Sequence, residues 1–417
     1  MVKKIILPLL ILSLLCTSAW AAEMLKIGSL NDVTGATSDV GKDMALGIRE
    51  AVAYVNDHGG INGKKIKLFQ YDYGYRVPEA ITTYKRFRDY DKVVMVLGWG
   101  TGDTEALSPT INRDKMPYLS CSFSGHLCDP KKTPYNFVYG TDYSTNARAA
   151  ITAWYEEIWM KSPKWKKAKE SGRKPRFVCS YMFASPYASA PIKAIKDQAK
   201  LLGFEIGPDQ DVSLTALDAK SQVLGAKAFK PDLMWHGNTT MSVSTTIKDA
   251  YMLGLGADHI INNWGFDQNL VRLTAEAGEG VIGAAACAFY GMDVPYMDKV
   301  VEYTKKINPG VAQEVRDIRT VQAWVKVQMA VDAMKIADKK GQLNGPGILA
   351  AFETFRDWSP FNTPGALGRP PVTYTKTDHR PSAVSMIYII KGGKIQLLKK
   401  IDMRAKYADK WMSWLGW

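Results

Sequence analysis

Residues 92–124 read "KVVMVLGWGTGDTEALSPTINRDKMPYLSCSFS". The apolar run at 93–97 is short and uninterrupted, as expected of a strand buried on both faces. Glycines and short hydroxyls follow in "GWGTGDT", then the helical segment "EALSPTIN". A second strand, "MPYLS", ends in another hydroxyl-rich loop, "SCSFSG". Strand, loop, helix and strand in so short a span form a β-α-β unit, and such a unit builds a parallel sheet. The first loop lacks the lysine of a phosphate-binding loop. It also fails G-x-G-x-x-G, because Asp103 stands where the last glycine belongs and would repel a pyrophosphate. What remains is a helix start rich in N–H groups and hydroxyls, which favours a carboxylate or similar small anion. Either loop alone has the composition of an ordinary turn with a helix cap. Two such loops at neighbouring strand ends suggest one shared cradle, because ligands of open α/β sheets bind beyond the carboxyl ends of the strands.

The same alternation extends in both directions. "LKIGSL" at 25–30 precedes Met44, Ile48, Val52 and Val55 at helical spacing, and "KKIKLFQYD" follows as a strand. Ala147, Ile151, Trp154 and Ile158 mark a later helix. "RFVCSYM", "FEIG", "DLMWHG" and "HIINNW" continue the strands. One sheet would need too many strands, so the pattern predicts an α/β protein of two doubly wound parallel-sheet lobes. The expected division is 22–142 with 292–357 for the first lobe and 143–291 with 358–417 for the second. "VTYTKTDHRP" and "SMIYIIKGGKIQLL" read as antiparallel strands, with Gly392-Gly393 at a tight turn. The final "MRAKYADKWMSWLGW" reads as a short amphipathic helix docked through Trp411, Trp414 and Leu415.

The first residues, "MVKKIILPLLILSLLCTSAWAAE", have the basic start, apolar stretch and Ala-x-Ala step of a cleaved secretory signal covering 1–21. The expected location is therefore periplasmic. Cys16 is a poor lipidation site, because the bulky Leu15 precedes it. Loss of the leader takes two lysines and leaves +11 of the formal +13. Much of that excess lies in "KSPKWKKAKESGRKPR" at 161–176, bunched beside Ser, Gly and Pro. It reads as a solvated insertion rather than a nucleic-acid surface, which would want stacking aromatics along a basic face. Cys121 and Cys128 are near enough along the chain to bridge in an oxidising compartment, while Cys179 and Cys287 sit in apolar runs as buried thiols. The five histidines fall in no metal-binding spacing, and there is no C-x-x-C or G-x-S-x-G. No cofactor, metal or catalytic residue is expected.

The stretch "LKIGSLNDVTGATSDVGKDMALGIREAVAYVNDHGGINGKKIKLFQYD", followed by 92–124, resembles the leucine/isoleucine/valine-binding family of ABC-transporter solute receptors. "N-x-x-GGINGKKI" at 56–66 is its most specific element. The resemblance implies two lobes joined by three crossing segments, closing on a solute like a Venus flytrap and docking on the membrane subunits of a permease. It also implies a monomer that binds no nucleic acid. First-lobe ligand contacts then fall on Thr101, Gly102 and Thr104 and on Ser122, Phe123 and Ser124. Second-lobe contacts fall on Tyr187, Asn238 and Thr239. The acidic residue that holds an α-ammonium in that family falls near Trp264, which cannot neutralise one, though its ring offers a cation–π face. Asp267 and Asp103 are the nearby carboxylates. Alternatively Trp99, Phe123, Tyr187 and Trp264 form an aromatic wall around an apolar body.

The resulting expectation is a receptor of an ABC importer for a small organic solute: a branched-chain or other amino acid, or an aromatic or aliphatic carboxylate or amide. The alternatives are a sensing module of the same fold that reports to a signalling partner, and an exported hydrolase, for which no nucleophile–base pair is visible.

Overall fold

A computed structural model describes residues 24–417; the expected leader at 1–21, with Cys16, lies outside them. The first sheet contains β1 (Leu25–Asn31), β2 (Ile66–Asp72), β3 (Met95–Leu97), β4 (Tyr118–Ser120) and β5 (Asn136–Val138). They lie in the order β2-β1-β3-β4-β5, all parallel. Helices cover both faces. The helix Ser38–Asp57 packs on Ile318–Lys339, and Met44, Ile48, Val52 and Val55 are its buried stripe.

The second sheet holds β6 (Arg176–Tyr181), β7 (Glu205–Ile206), β8 (Gln210–Asp211), β9 (Leu233–His236), β10 (Asp258–Ile261), β11 (Ile282–Ala285), β12 (Val384–Lys391) and β13 (Lys394–Asp402). Its order is β13-β12-β11-β10-β9-β6-β7, with β8 beside β6. The last two strands are antiparallel additions at one edge. In each sheet the strand order reverses around one strand: β1 lies between β2 and β3, and β6 between β7 and β9. Such reversals open a crevice outside the carboxyl ends of the strands.

Three expectations change. "VTYTKTDHRP" forms no strand. It makes only isolated bridges, Trp358 to Val372 and Thr375 to Asp378. Its alternation instead buries Tyr374, whose hydroxyl donates to the Val138 carbonyl and whose ring meets Phe137. His379 stacks on the same Phe137. This stretch therefore packs on the first lobe, and the chain returns to the second sheet only at β12, not at 358. The terminal helix is reduced to the single turn Met403–Lys406 and a later 3-10 turn, Met412–Trp414. Between them Trp411 turns inward to stack on the Arg380 guanidinium, 3.6 Å from its ring centroid.

Candidate functional site

The helix behind "GWGTGDT" begins at Thr101, so most of that loop is the first turn of the helix itself. Gly98 is required by crowding: a Cβ there would stand 1.9 Å from the Tyr118 ring. The Gly98 carbonyl accepts from Lys326 Nζ at 2.5 Å, and Cys121 Sγ lies 3.1 Å from the same nitrogen. Burial lowers the Lys326 pKa. Asp103 folds back beneath the helix start and accepts from the Tyr73 hydroxyl at 2.8 Å. Burial pushes its carboxyl up to about 6, against the pull of bonds from Tyr73 and from the backbone at Asp103 and Gly100.

The hydroxyls of the two loops are joined to each other. Thr101 Oγ1 lies 2.7 Å from Ser122 Oγ, and Thr104 Oγ1 lies 2.8 Å from Ser120 Oγ. Ser120 also accepts from the Ser122 amide, and Ser122 from the Ser124 amide. Four side chains thus pin β3's loop to β4's. Cys121 and Cys128 are both free thiols, so the bridge considered between them is not formed. Cys121 faces Lys326, while Cys128 points at the Ser124 carbonyl. Burial raises the Cys128 thiol well above its ordinary pKa.

Three loops of the second lobe face these. Pro186, at the start of a short helix, lies 3.3 Å from where a Gly102 Cβ would stand. Tyr187 follows, with its hydroxyl donating to the Asn238 carbonyl at 3.3 Å. The Asn238 side chain is fully engaged, accepting from the Met182 amide and donating to Val212, Ser213 and Ser242. Next to it, the buried Thr239 hydroxyl reaches no partner at full hydrogen-bond distance, but it lies near enough to the Asp39 carboxylate across the cleft to offset part of that group's burial. Trp264 Nε1 donates to the Tyr143 hydroxyl at 2.9 Å. Its ring meets the Trp99 ring edge-on, with centroids 5.2 Å apart. Arg319 also stands over that ring, 4.7 Å from the centroid. Arg319 also bonds Asp267 at 3.2 Å. Asp267 further accepts from Thr240 Oγ1 and from the Leu270 amide. It is a helix cap and a bridge between lobes rather than a wall of the cavity.

The lobes touch elsewhere as well. Asp39 accepts from the Met241 amide at 3.0 Å, and Asn269 donates to Asp317 at 2.8 Å. Burial between the lobes raises the Asp39 carboxyl.

Between the lobes lies a small cavity lined by Thr37, Val40, Tyr75, Trp99, Gly100, Thr101, Cys121, Tyr143, Tyr187, Thr239 and Trp264. Of the residues singled out from sequence, Trp99, Thr101, Tyr187, Thr239 and Trp264 line it. Gly102 faces Pro186 of the other lobe and is not part of the lining. Thr104, Ser122, Phe123, Ser124, Asn238 and Asp267 stand behind the wall, with Phe123 packed on Tyr139, Tyr143 and Trp264. Thr37, Val40, Tyr75, Cys121 and Tyr143 were missed. Thr37, Val40 and Tyr75 lie just past the ends of β1 and β2, where the strand-end rule would have found them. The lining holds five aromatic rings and no Asp, Glu, Lys, Arg or His.

A family model described as "Periplasmic binding protein" matches residues 24–394. A substrate-binding protein of an ABC transporter from Aeropyrum pernix is similar in structure, with a TM-score of 0.81 and 29% identity over 91% of this chain and 96% of that one. A branched-chain amino acid ABC transporter protein from Thermus thermophilus, solved with bound valine, shares the fold at a TM-score of 0.80 and 20% identity, covering 93% of this chain and 99% of its own. So does a solute-binding protein from R. palustris in complex with benzoate, at a TM-score of 0.72 and 17% identity, covering 90% and 96%. An "Amino acid binding protein" from Pseudomonas aeruginosa is 34% identical over 96 residues, which is 23% of this chain; the match spans about a quarter (26%) of that relative's length.

Proposed function

The chain belongs to the periplasmic binding protein family, and from that premise we propose that it is the receptor of an ABC importer, holding a small organic carboxylate or amide with an apolar body between its lobes. One observation carries this reading: the cavity presents a helix start and hydroxyls on one side, rings on the other, and no charged side chain.

The start of the Thr101 helix turns the positive end of its dipole towards the cavity, which favours an anion or a carbonyl oxygen. Tyr143 takes the Trp264 N–H on its oxygen and so keeps its own proton to give. Thr239 offers a hydroxyl on the opposite lobe, held only weakly by Asp39. No carboxylate lines the cavity to meet an α-ammonium. Asp267 is held by Arg319, Asp103 lies below the helix start, and Asp39 is bonded to the Met241 amide at the contact between the lobes. Leaving a buried ammonium without a carboxylate costs several kcal/mol, of which a ring face returns only about 2 kcal/mol. An acid or amide lacking the amino group therefore fits better than an amino acid.

The solute stabilises closure only by what it touches better in the closed form. Hydrogen bonds to a carboxylate contribute about 1.5–3 kcal/mol each. Membership places the chain among receptors rather than enzymes. The test is calorimetric titration with benzoate, branched aliphatic acids, their amides, and leucine and valine. Acids or amides are expected to bind at least tenfold tighter than leucine or valine. Tightest binding by leucine would reverse the ranking, and no binding by any of them would remove the receptor reading.

A further inference from the structure

The positive charge of the chain is concentrated. Residues 156–176 and 391–410 carry fifteen Lys and Arg against five Asp and Glu, an excess of ten where the entire chain has +13. The fold joins these segments on one outer face of the second lobe. Glu157 pairs with both Lys161 and Lys399, and Glu156 with both Lys399 and Lys406. The 161–176 insertion is also built in more firmly than its composition suggests. Trp165 is buried against Trp159, Lys164 reaches Asp258 at 2.6 Å, and Arg173 reaches Asp232 at 2.6 Å. Asp232 and Asp258 mark the amino ends of β9 and β10, so this face points away from the cavity, which lies past the carboxyl ends.

The acids of the face, with Asp232 and Asp258 beside it, are largely taken up by this scaffold. Among the described residues Lys167, Lys174, Lys394, Lys400 and Arg404 are exposed and have no carboxylate partner. Met160 and Leu397 stand half exposed among them. Lysines on an open edge strand such as β13 also prevent edge-to-edge pairing. That accounts for Lys394 and Lys400 but not for the insertion, which offers no open ladder. Basic side chains interspersed with exposed apolar ones are the pattern that adsorbs to acidic lipid headgroups, each Lys or Arg adding electrostatic attraction and each apolar group a shallow contact.

We propose that this face binds a membrane surface rich in anionic phospholipid, independently of the solute cavity. Apolar contacts alone would attract equally to neutral lipid, so the charge makes a distinct prediction. Protein lacking the expected leader at 1–21 is mixed with sedimentable vesicles of phosphatidylcholine, with and without about 30% phosphatidylglycerol, at low and high salt. Binding is expected at least tenfold stronger on the anionic vesicles and is expected to fall as salt shortens the screening length. The triple variant Lys167→Gln/Lys174→Gln/Lys400→Gln should lose about a hundredfold, at about fivefold per charge. Thermal unfolding of the variant checks that it is folded, and Lys131→Gln/Lys132→Gln on the first lobe serves as the control and should change nothing. Equal binding to both vesicle types, an undiminished triple variant, or retention on a DNA oligonucleotide without vesicle binding would each overturn the proposal.

Discussion

The two walls of the cleft treat their polar groups in opposite ways. In the first lobe Thr101, Thr104, Ser120 and Ser122 bond one another, so that hydroxyls suited to a ligand mostly hold one loop to the next. In the second lobe the structural bonding is concentrated on the Asn238 side chain, and Thr239 beside it faces the cavity with no partner at full hydrogen-bond distance. A residue's chemistry thus does not settle whether it serves the ligand or the scaffold; its neighbours do.

The largest break in this contrast is expected at Gly98. An Ala Cβ would overlap the Tyr118 ring and force the first-lobe loops apart. Overpacking of this kind costs about 3 kcal/mol or more, and urea unfolding of Gly98→Ala should read it. A midpoint matching wild type would mean the loops are not held as described. On the opposite wall, Trp264→Ala should weaken the best solute about a hundredfold, equivalent to about 2.7 kcal/mol. Calorimetry showing undiminished affinity would place the ring outside the site.

The walls should also differ in their response to acid. Asp103 keeps its proton up to about 6, against 3.8 for the unfolded chain. The folded state there binds more protons, so its stability declines as pH rises from about 4 to 6. Behind the other wall, His236 and His259 are 2.9 Å apart on β9 and β10. Burial lowers both, His259 to about 4 from 6.5. That pair's contribution is complete above 6.5 and is lost as pH falls towards 4. Each slope amounts to about 1–2 kcal/mol. Asp103→Asn should remove the first and His259→Gln the second when unfolding midpoints are followed from pH 4 to 7. Unchanged slopes in both variants would show that other groups govern the profile.

The smallest effects sharpen the contrast most directly. Thr104→Val should lose about 1 kcal/mol of stability with affinity changed less than threefold. Thr239→Val should keep its stability and lose about tenfold in affinity, the worth of one hydrogen bond. A reversal of those two outcomes would invert the roles assigned to the two walls.

The lobes were legible in sequence because burial imposes periodicity, as at Met44, Ile48, Val52 and Val55. Strand ends were legible because glycine and hydroxyls gather there. Which hydroxyl faces inward was not. Thr101 and Thr104 lie almost one turn apart on the same helix, and only the position of β4 decides which one meets Ser120 and which the cavity. Tyr75 and Tyr143 were passed over because neither stands in a loop of suggestive composition. The alternation in "VTYTKT" misled for a related reason. It satisfies Tyr374 by burial against Phe137, a demand that produces the same pattern as a ladder without making one.

The meeting of Trp99 and Trp264 has a practical outcome. One indole belongs to each lobe, and across the closed cleft they touch. Opening would separate the pair and wet both rings, shifting their emission to the red and removing their share of the near-ultraviolet dichroism. The molecule therefore carries its own optical gauge of closure, readable without a label against its ten other tryptophans.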